Sequence, residues 1–218
     1  MSSKLTISIG IVIVLLVIVA GCGSIPAVDH RNSASGVHSA SAGRVSIDSL
    51  LVEDNLIPGA IKQKFAIAGR TSDKVGEVLL EMTQAEENLS RTWIDADQVP
   101  SITQIVTRFS GPSDAGEDYR SAPHGRNYHV VDGLKAHTVL QSDFSLKADS
   151  SRIFCVEYRT EFSPDDCRRW GWRACYGSFV VDIIALKFVG DNQYIRIDRR
   201  EFVELVVAVD AHIAQVLH

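Results

Sequence analysis

The sequence predicts an α+β domain: an antiparallel β-sheet of about five to six strands packed with helices, including a C-terminal amphipathic helix. Two observations carry this. Between residues 100 and 198, β-branched and aromatic runs alternate with turn residues, the pattern of short antiparallel strands. After them Phe202, Leu205, Val206, Val209, Ile213, Val216 and Leu217 trace one apolar stripe at helical spacing. A sheet with a face to cover and a helix with a stripe to bury suit each other.

Taken in order, the chain opens on MSSKLTISIGIVIVLLVIVAG, followed by Cys22. One cation, Lys4, precedes an apolar run that ends in small residues, the layout of a secretory signal. The run is shorter than the about 20 residues that a spanning helix needs, and it contains Thr6, Ser8 and Gly10. Val19-Ala20-Gly21-Cys22 resembles the lipobox of bacterial lipoproteins. That resemblance implies a signal peptide over 1–21 and lipidation, palmitate included, at Cys22. It also implies a chain held on the extracytoplasmic face of the cell membrane. Several acyl chains, at ~0.8 kcal/mol per buried methylene, make such attachment effectively permanent.

Residues 22–43 then read as the lipidated cysteine and a flexible tether. GSIPAVDHRNSASGVHSASAG is rich in Ser, Ala and Gly with no apolar period, so ordering it would bury too little surface. Its mean span is roughly 25 Å. His30 and His38 fall here and read as solvated residues rather than metal ligands. The formal net charge is −5, and loss of Lys4 with the leader makes it −6. An acidic chain lacks the basic stripe that non-specific nucleic-acid binding requires.

Residues 44–218 form a single extracytoplasmic domain. SIDSLLVEDNLIPG holds a short helical turn, closed by Pro58-Gly59. In AIKQKFAIA, Ile61, Phe65 and Ile67 alternate with Lys62 and Lys64, which predicts a half-buried strand. Over 71–91 the period changes: Val75, Val78, Leu79, Met82 and Leu89 share a helical face, with Ser72 or Asp73 as N-cap, which predicts a helix, although VLLEMT alone also fits a strand. SITQIVTRF is the next strand, and Ser113 or Asp114 caps a short helix over AGEDYRSA. YHVV, residues 134–146 and residues 152–162 are further strands. In the last of these Phe154, Val156, Tyr158 and Phe162 share a face, which puts Cys155 on the polar side. Residues 163–176 read as a loop, and residues 179–198 as a hairpin turned by Gly190-Asp191-Asn192. Asp198 and Glu201 stand at capping-box spacing before the terminal helix.

With Cys22 spent on lipid, Cys155, Cys167 and Cys175 remain, so one bridge and one thiol are expected. If 152–162 pairs with 177–189, Cys167 and Cys175 share the connecting loop. A Cys167–Cys175 bridge there would be worth roughly 2–3 kcal/mol.

No catalytic residue set and no metal or cofactor motif stands out. HExxH, GxSxG, GxxxxGK[ST] and GxGxxG are absent, and His124, His129 and His137 lack a paired carboxylate spacing. Arg168, Arg169, Trp170, Trp172 and Arg173 are the binding candidates: three guanidinium groups and two indoles within six residues, types enriched at binding hot spots. Folding of both indoles onto the sheet, with the arginines paired to Asp165 and Asp166, is the structural alternative.

DNLIPG, together with KFVGDNQYIRID and the terminal helix, is similar to actinobacterial extracytoplasmic sensor-like domains of the PknH extracellular type. The resemblance implies an antiparallel sheet packed with helices around a ligand cleft, without catalysis. The four cysteines of that kinase domain are not matched here, and no cleft residue is carried over. The expected function is a membrane-anchored, non-catalytic ligand-binding or sensor-like module whose ligand is a small molecule, a glycan or an envelope protein. One alternative is an envelope hydrolase using His129 or His137 with a carboxylate. Another is a structural lipoprotein that assembles through residues 168–173.

Overall fold

The structure, a computed structural model, describes residues 45–75, 85–97, 99–122, 135–139, 144–157, 167, 169–189, 193–195 and 197–218. Its centre is a seven-stranded antiparallel sheet, against the five to six strands expected, in the order β1-β2-β3-β7-β6-β5-β4. The strands are β1 (Ile67–Val75), β2 (Ala85–Asp95), β3 (Pro100–Phe109), β4 (Lys135–Val139), β5 (Ser150–Glu157), β6 (Trp170–Tyr176) and β7 (Phe179–Ala185). β8 (Lys187–Val189) and β9 (Gln193–Ile195) make a separate ribbon. The helices are α1 (Gly59–Phe65), α2 (Pro112–Ser121) and α3 (Arg199–Leu217).

Two short 3-10 turns, Ile47–Leu50 and Asp54–Leu56, form where a helical turn is expected. The next two expectations reverse. Residues 59–65 are helical, because Ile61 and Phe65 are also i and i+4, and both are buried while Gln63 and Lys64 are exposed. Pro58 stands at the N-cap, and Ala66, at φ 49, closes the helix in the left-handed region. Lys64 then reaches Glu201 of α3 at 2.6 Å.

Conversely, in the segment predicted as helix over 71–91 the described residues are strand, 71–75 in β1 and 85–91 in β2; Val78, Leu79 and Met82 lie outside the described residues. Val75 and Leu89, expected on one helical face, are cross-strand partners. A spacing of i and i+14 fits helical period and hairpin register alike, and here pairing with β3 decides it.

β3 and α2 form as expected, though Gly111 rather than Ser113 or Asp114 takes the N-cap, with Pro112 at the first turn. The YHVV segment and the 190–192 turn lie outside the described residues. The strand expected over 134–146 is β4, and that expected over 152–162 is β5. The hairpin expected over 179–198 is divided: β7 stops at Ala185, and only β8 and β9 pair with each other.

The largest change is at 163–176. WGWRACY is not loop but strand β6, inserted between β5 and β7 and buried along its whole length. This overturns the expected Cys167–Cys175 bridge. Cys175 sits at the far end of β6 opposite Ser150, whereas Cys155 lies opposite Trp170, near the start of β6. The bridge is Cys155–Cys167, with Cα atoms 5.8 Å apart, and Cys175 stays a buried thiol. Extended chain at about 3.3 Å per residue carries Cys175 out of reach of Cys167. Cys155 is fully buried rather than on a polar face, because both faces of β5 are covered.

One sheet face carries the main core: Trp93, Ile102, Val106, Ile153, Trp170, Trp172, Val181 and Ile183 pack with α1, the 3-10 turns and α3. From α3, Phe202, Leu205, Val206, Val209 and Ile213 are fully buried, each worth about 1.5–3 kcal/mol. Its capping box is complete: Glu201 N–H donates to Asp198 Oδ1 and Asp198 N–H to Glu201 Oε2, both at 2.8 Å. On the opposite face α2 covers a smaller cluster of Phe109, Ala115, Tyr119, Cys175 and Val180.

Candidate functional site

Of the residues proposed from the sequence as a binding surface, Trp170, Trp172 and Arg173 are buried. Trp170 Nε1 donates to Ile197 O at 2.7 Å, and its ring stacks on Phe202 with centroids 5.5 Å apart. Trp172 meets Tyr176 edge-on at 6.4 Å. Arg169 is half-buried, and its carbonyl accepts from Val156 N–H at 2.9 Å. Arg168 lies outside the described residues.

Arg173 turns to the α2 face, where it donates to Asp182 Oδ2 at 2.6 Å and to the Asp118 carboxylate. Its partners among the described residues are therefore Asp118 and Asp182; Asp165 and Asp166 lie outside them. Burial pushes the Asp182 carboxyl above the usual range, with Arg173 opposing. Desolvation likewise works against the Arg173 charge, but Asp182 and then Asp118 outweigh it and hold the guanidinium above its ordinary value. Beside them Arg152 Nε donates to Tyr119 Oη at 3.1 Å. This cluster fastens α2 to the sheet and offers no open surface.

Among the described residues the histidines do not converge either. His137 lies opposite Cys155, whose sulfur is committed to the bridge. His212 Nε2 is 3.0 Å from Ser49 O. His30, His38, His124 and His129 lie outside the described residues. Among the described residues no group of three or more His, Cys, Asp or Glu is placed to hold a metal ion.

Concavity is found elsewhere. A cavity of about 330 Å³ opens at the end of α3, between the 147–149 segment and the β6–β7 turn. Tyr176, Phe179, Ala214 and Leu217 supply apolar wall; Lys147, Asp149, Ser178 and His218 supply polar groups. Two carboxylates tie its walls together. Asp210, buried on α3, accepts from Lys147 N–H at 2.8 Å, Ala148 N–H at 3.1 Å and Tyr176 Oη at 2.7 Å. Asp149 Oδ2 accepts from Gly177 N–H at 2.7 Å, while Asp149 N–H donates to Cys175 O at 2.9 Å. Gly177, at φ +52, is the first central residue of the two-residue turn joining Tyr176 to Phe179, where a II′ hairpin calls for glycine. Burial foremost, then the bond to Asp210 and the charges of Asp210 and Asp149, raise the Tyr176 phenol far above its ordinary value. It stays protonated and donating.

A second hollow, of about 300 Å³, lies at the other end of α3 between Phe144, Arg199, Arg200 and Val203. Arg200 there pairs with Glu204 at 3.2 Å.

Sequence reasoning missed Asp210, Asp149 and Tyr176. Asp210 had a signal: it stands four residues after Val206 and three before Ile213, an acid at the margin of the apolar stripe. Asp149 falls between the strands expected over 134–146 and 152–162, and Tyr176 at the end of the loop expected over 163–176.

No protein-family model matches the chain, and no curated protein matches it. Among solved structures it is similar to the crystal structure of the extracellular domain of PknH from Mycobacterium tuberculosis. That match is 12% identical, covers 76% of this chain and 94% of that chain, and has a TM-score of 0.39.

Proposed function

We propose that this chain is a lipid-anchored, extracytoplasmic, non-catalytic ligand-binding or sensor-like module, with its ligand site in the cavity at the end of α3. The observation that carries the reading is that cavity. Its volume falls within the range of small-ligand sites, and apolar walls with a few convergent polar groups are their usual lining. Asp210 and Asp149 brace it from three elements, so it does not depend on loop conformation alone. The leader, Cys22 and the tether over 22–43 support attachment to the membrane. Burial of both indoles and of Arg173 favours the cavity over the Arg/Trp segment as the binding site.

Two measurements test the two halves. Metabolic labelling with a palmitate analogue marks the wild type and not Cys22→Ser; label on both, or on neither, sinks the anchor. Native mass spectrometry of the chain from envelope extract shows a retained small ligand, lost in Ala214→Phe, which fills the cavity. A ligand that survives Ala214→Phe in a folded protein places the site elsewhere.

A further inference from the structure

Resting on that cavity as the ligand site, its chemistry narrows the class of ligand. Asp149 lies on the cavity wall, and Asp210 lies directly beneath it, bonded to the Tyr176 hydroxyl. The three hydrogen bonds that Asp210 accepts come from two backbone N–H groups and one phenol, none of which carries charge, so its negative charge is screened but not neutralised. Asp149 is exposed and accepts one backbone N–H. Tyr176 and Phe179 add aromatic rings, whose faces attract cations. Against these stands Lys147, an exposed side chain at the rim.

We infer that the cavity takes an organic cation, an amine or quaternary ammonium bearing a short apolar tail, in preference to an anionic amphiphile. The tail lies along Leu217 and Ala214, and the head sits within reach of the Asp149 carboxylate and the aromatic rings. Lys147 competes for the same field. A neutral side chain there strengthens cation binding rather than weakening it.

The test is calorimetric titration of the full chain in nanodiscs, against empty nanodiscs, with three water-soluble probes of equal tail length: pentyltrimethylammonium, pentanol and pentanoate. The cation is expected to bind saturably and at least about tenfold more tightly than pentanoate, well within the attraction between opposite charges in contact near a protein surface. Asp149→Asn, which still accepts from Gly177 N–H, lowers cation affinity about tenfold and leaves pentanol unchanged; Lys147→Met raises it. Equal or tighter pentanoate binding, or an unchanged cation affinity in Asp149→Asn, overturns the cation inference and leaves the cavity as a ligand site. No saturable binding of any probe, or binding unaffected by Ala214→Phe, overturns both.

Discussion

Arg173→Met puts the buried charge cluster to a quantitative test. The Arg173 side chain is 3% exposed, and its partners Asp118 and Asp182 are 7% and 11% exposed. Methionine keeps most of the volume and removes the charge, leaving two carboxylates without their cation under α2. Removing one partner from a buried pair costs about 3–5 kcal/mol, a large share of the ~5–15 kcal/mol that holds a domain folded. At this chain length that corresponds to a melting temperature lowered by roughly 6–20 °C. Asp182 fixes the pH dependence. Its folded carboxyl is held above the usual range, so the native state binds that proton more readily than the unfolded chain. Stability from such a group is present at low pH and lost as pH rises through the folded value. Without Arg173 the carboxyl moves higher still, so the deficit is greatest near pH 7 and shrinks toward about pH 4. Urea unfolding followed by fluorescence reads this directly, since Trp93, Trp170 and Trp172 are all buried. A deficit under about 1 kcal/mol at neutral pH, or one that does not shrink on acidification, refutes the reasoning.

Three further outcomes follow from the same contacts. Replacing Cys155 and Cys167 with serine lowers stability by about 3 kcal/mol, and non-reduced peptide mapping recovers these two cysteines in one linked fragment. Gly171→Ala costs about 1–3 kcal/mol or more in denaturant unfolding, because a Cβ there would sit 2.2 Å from the Phe154 ring. Asp210→Ala orphans Lys147 N–H, Ala148 N–H and the Tyr176 hydroxyl; a loss of about 3–5 kcal/mol is expected, with faster amide exchange over 147–149. Unchanged exchange there would mean that Asp210 does not hold the segment.

What could be read from the sequence was what local chemistry decides. Asp198 and Glu201 specify the start of α3 by themselves, whereas α2 was legible as a helix but not in its cap, which is Gly111 and not Ser113 or Asp114. Where two periods fit the same residues, tertiary pairing decided. Ile61 and Phe65 satisfy strand parity and helical spacing equally, and Val75 and Leu89 satisfy helical spacing while being hairpin partners. β6 was hidden for another reason. A strand buried on both faces shows no alternation, and Arg173 made it look like surface. Asp182 on β7 and Asp118, 55 residues away on α2, together make that arginine an interior residue. The cavity was least legible, since its walls come from three parts of the chain, tied together by the hydrogen bonds of Asp149 and Asp210.

The pairing of β3 with β7 has a kinetic consequence. β1, β2 and β3 follow one another as a meander, and so do β4, β5, β6 and β7; among the described residues the two groups meet in the sheet only where Ile102–Arg108 lies against Phe179–Ala185. Closing a loop of roughly 70 residues costs about 3 kcal/mol more than closing a two-residue turn such as Gly177-Ser178. The two meanders can therefore form early and separately, while the seam that unites them is a late, entropically expensive event. Substitutions along the seam should slow folding more than they speed unfolding if the seam is the crossing point of the barrier. A chain exported unfolded would present both meanders with open strand edges until that seam closes.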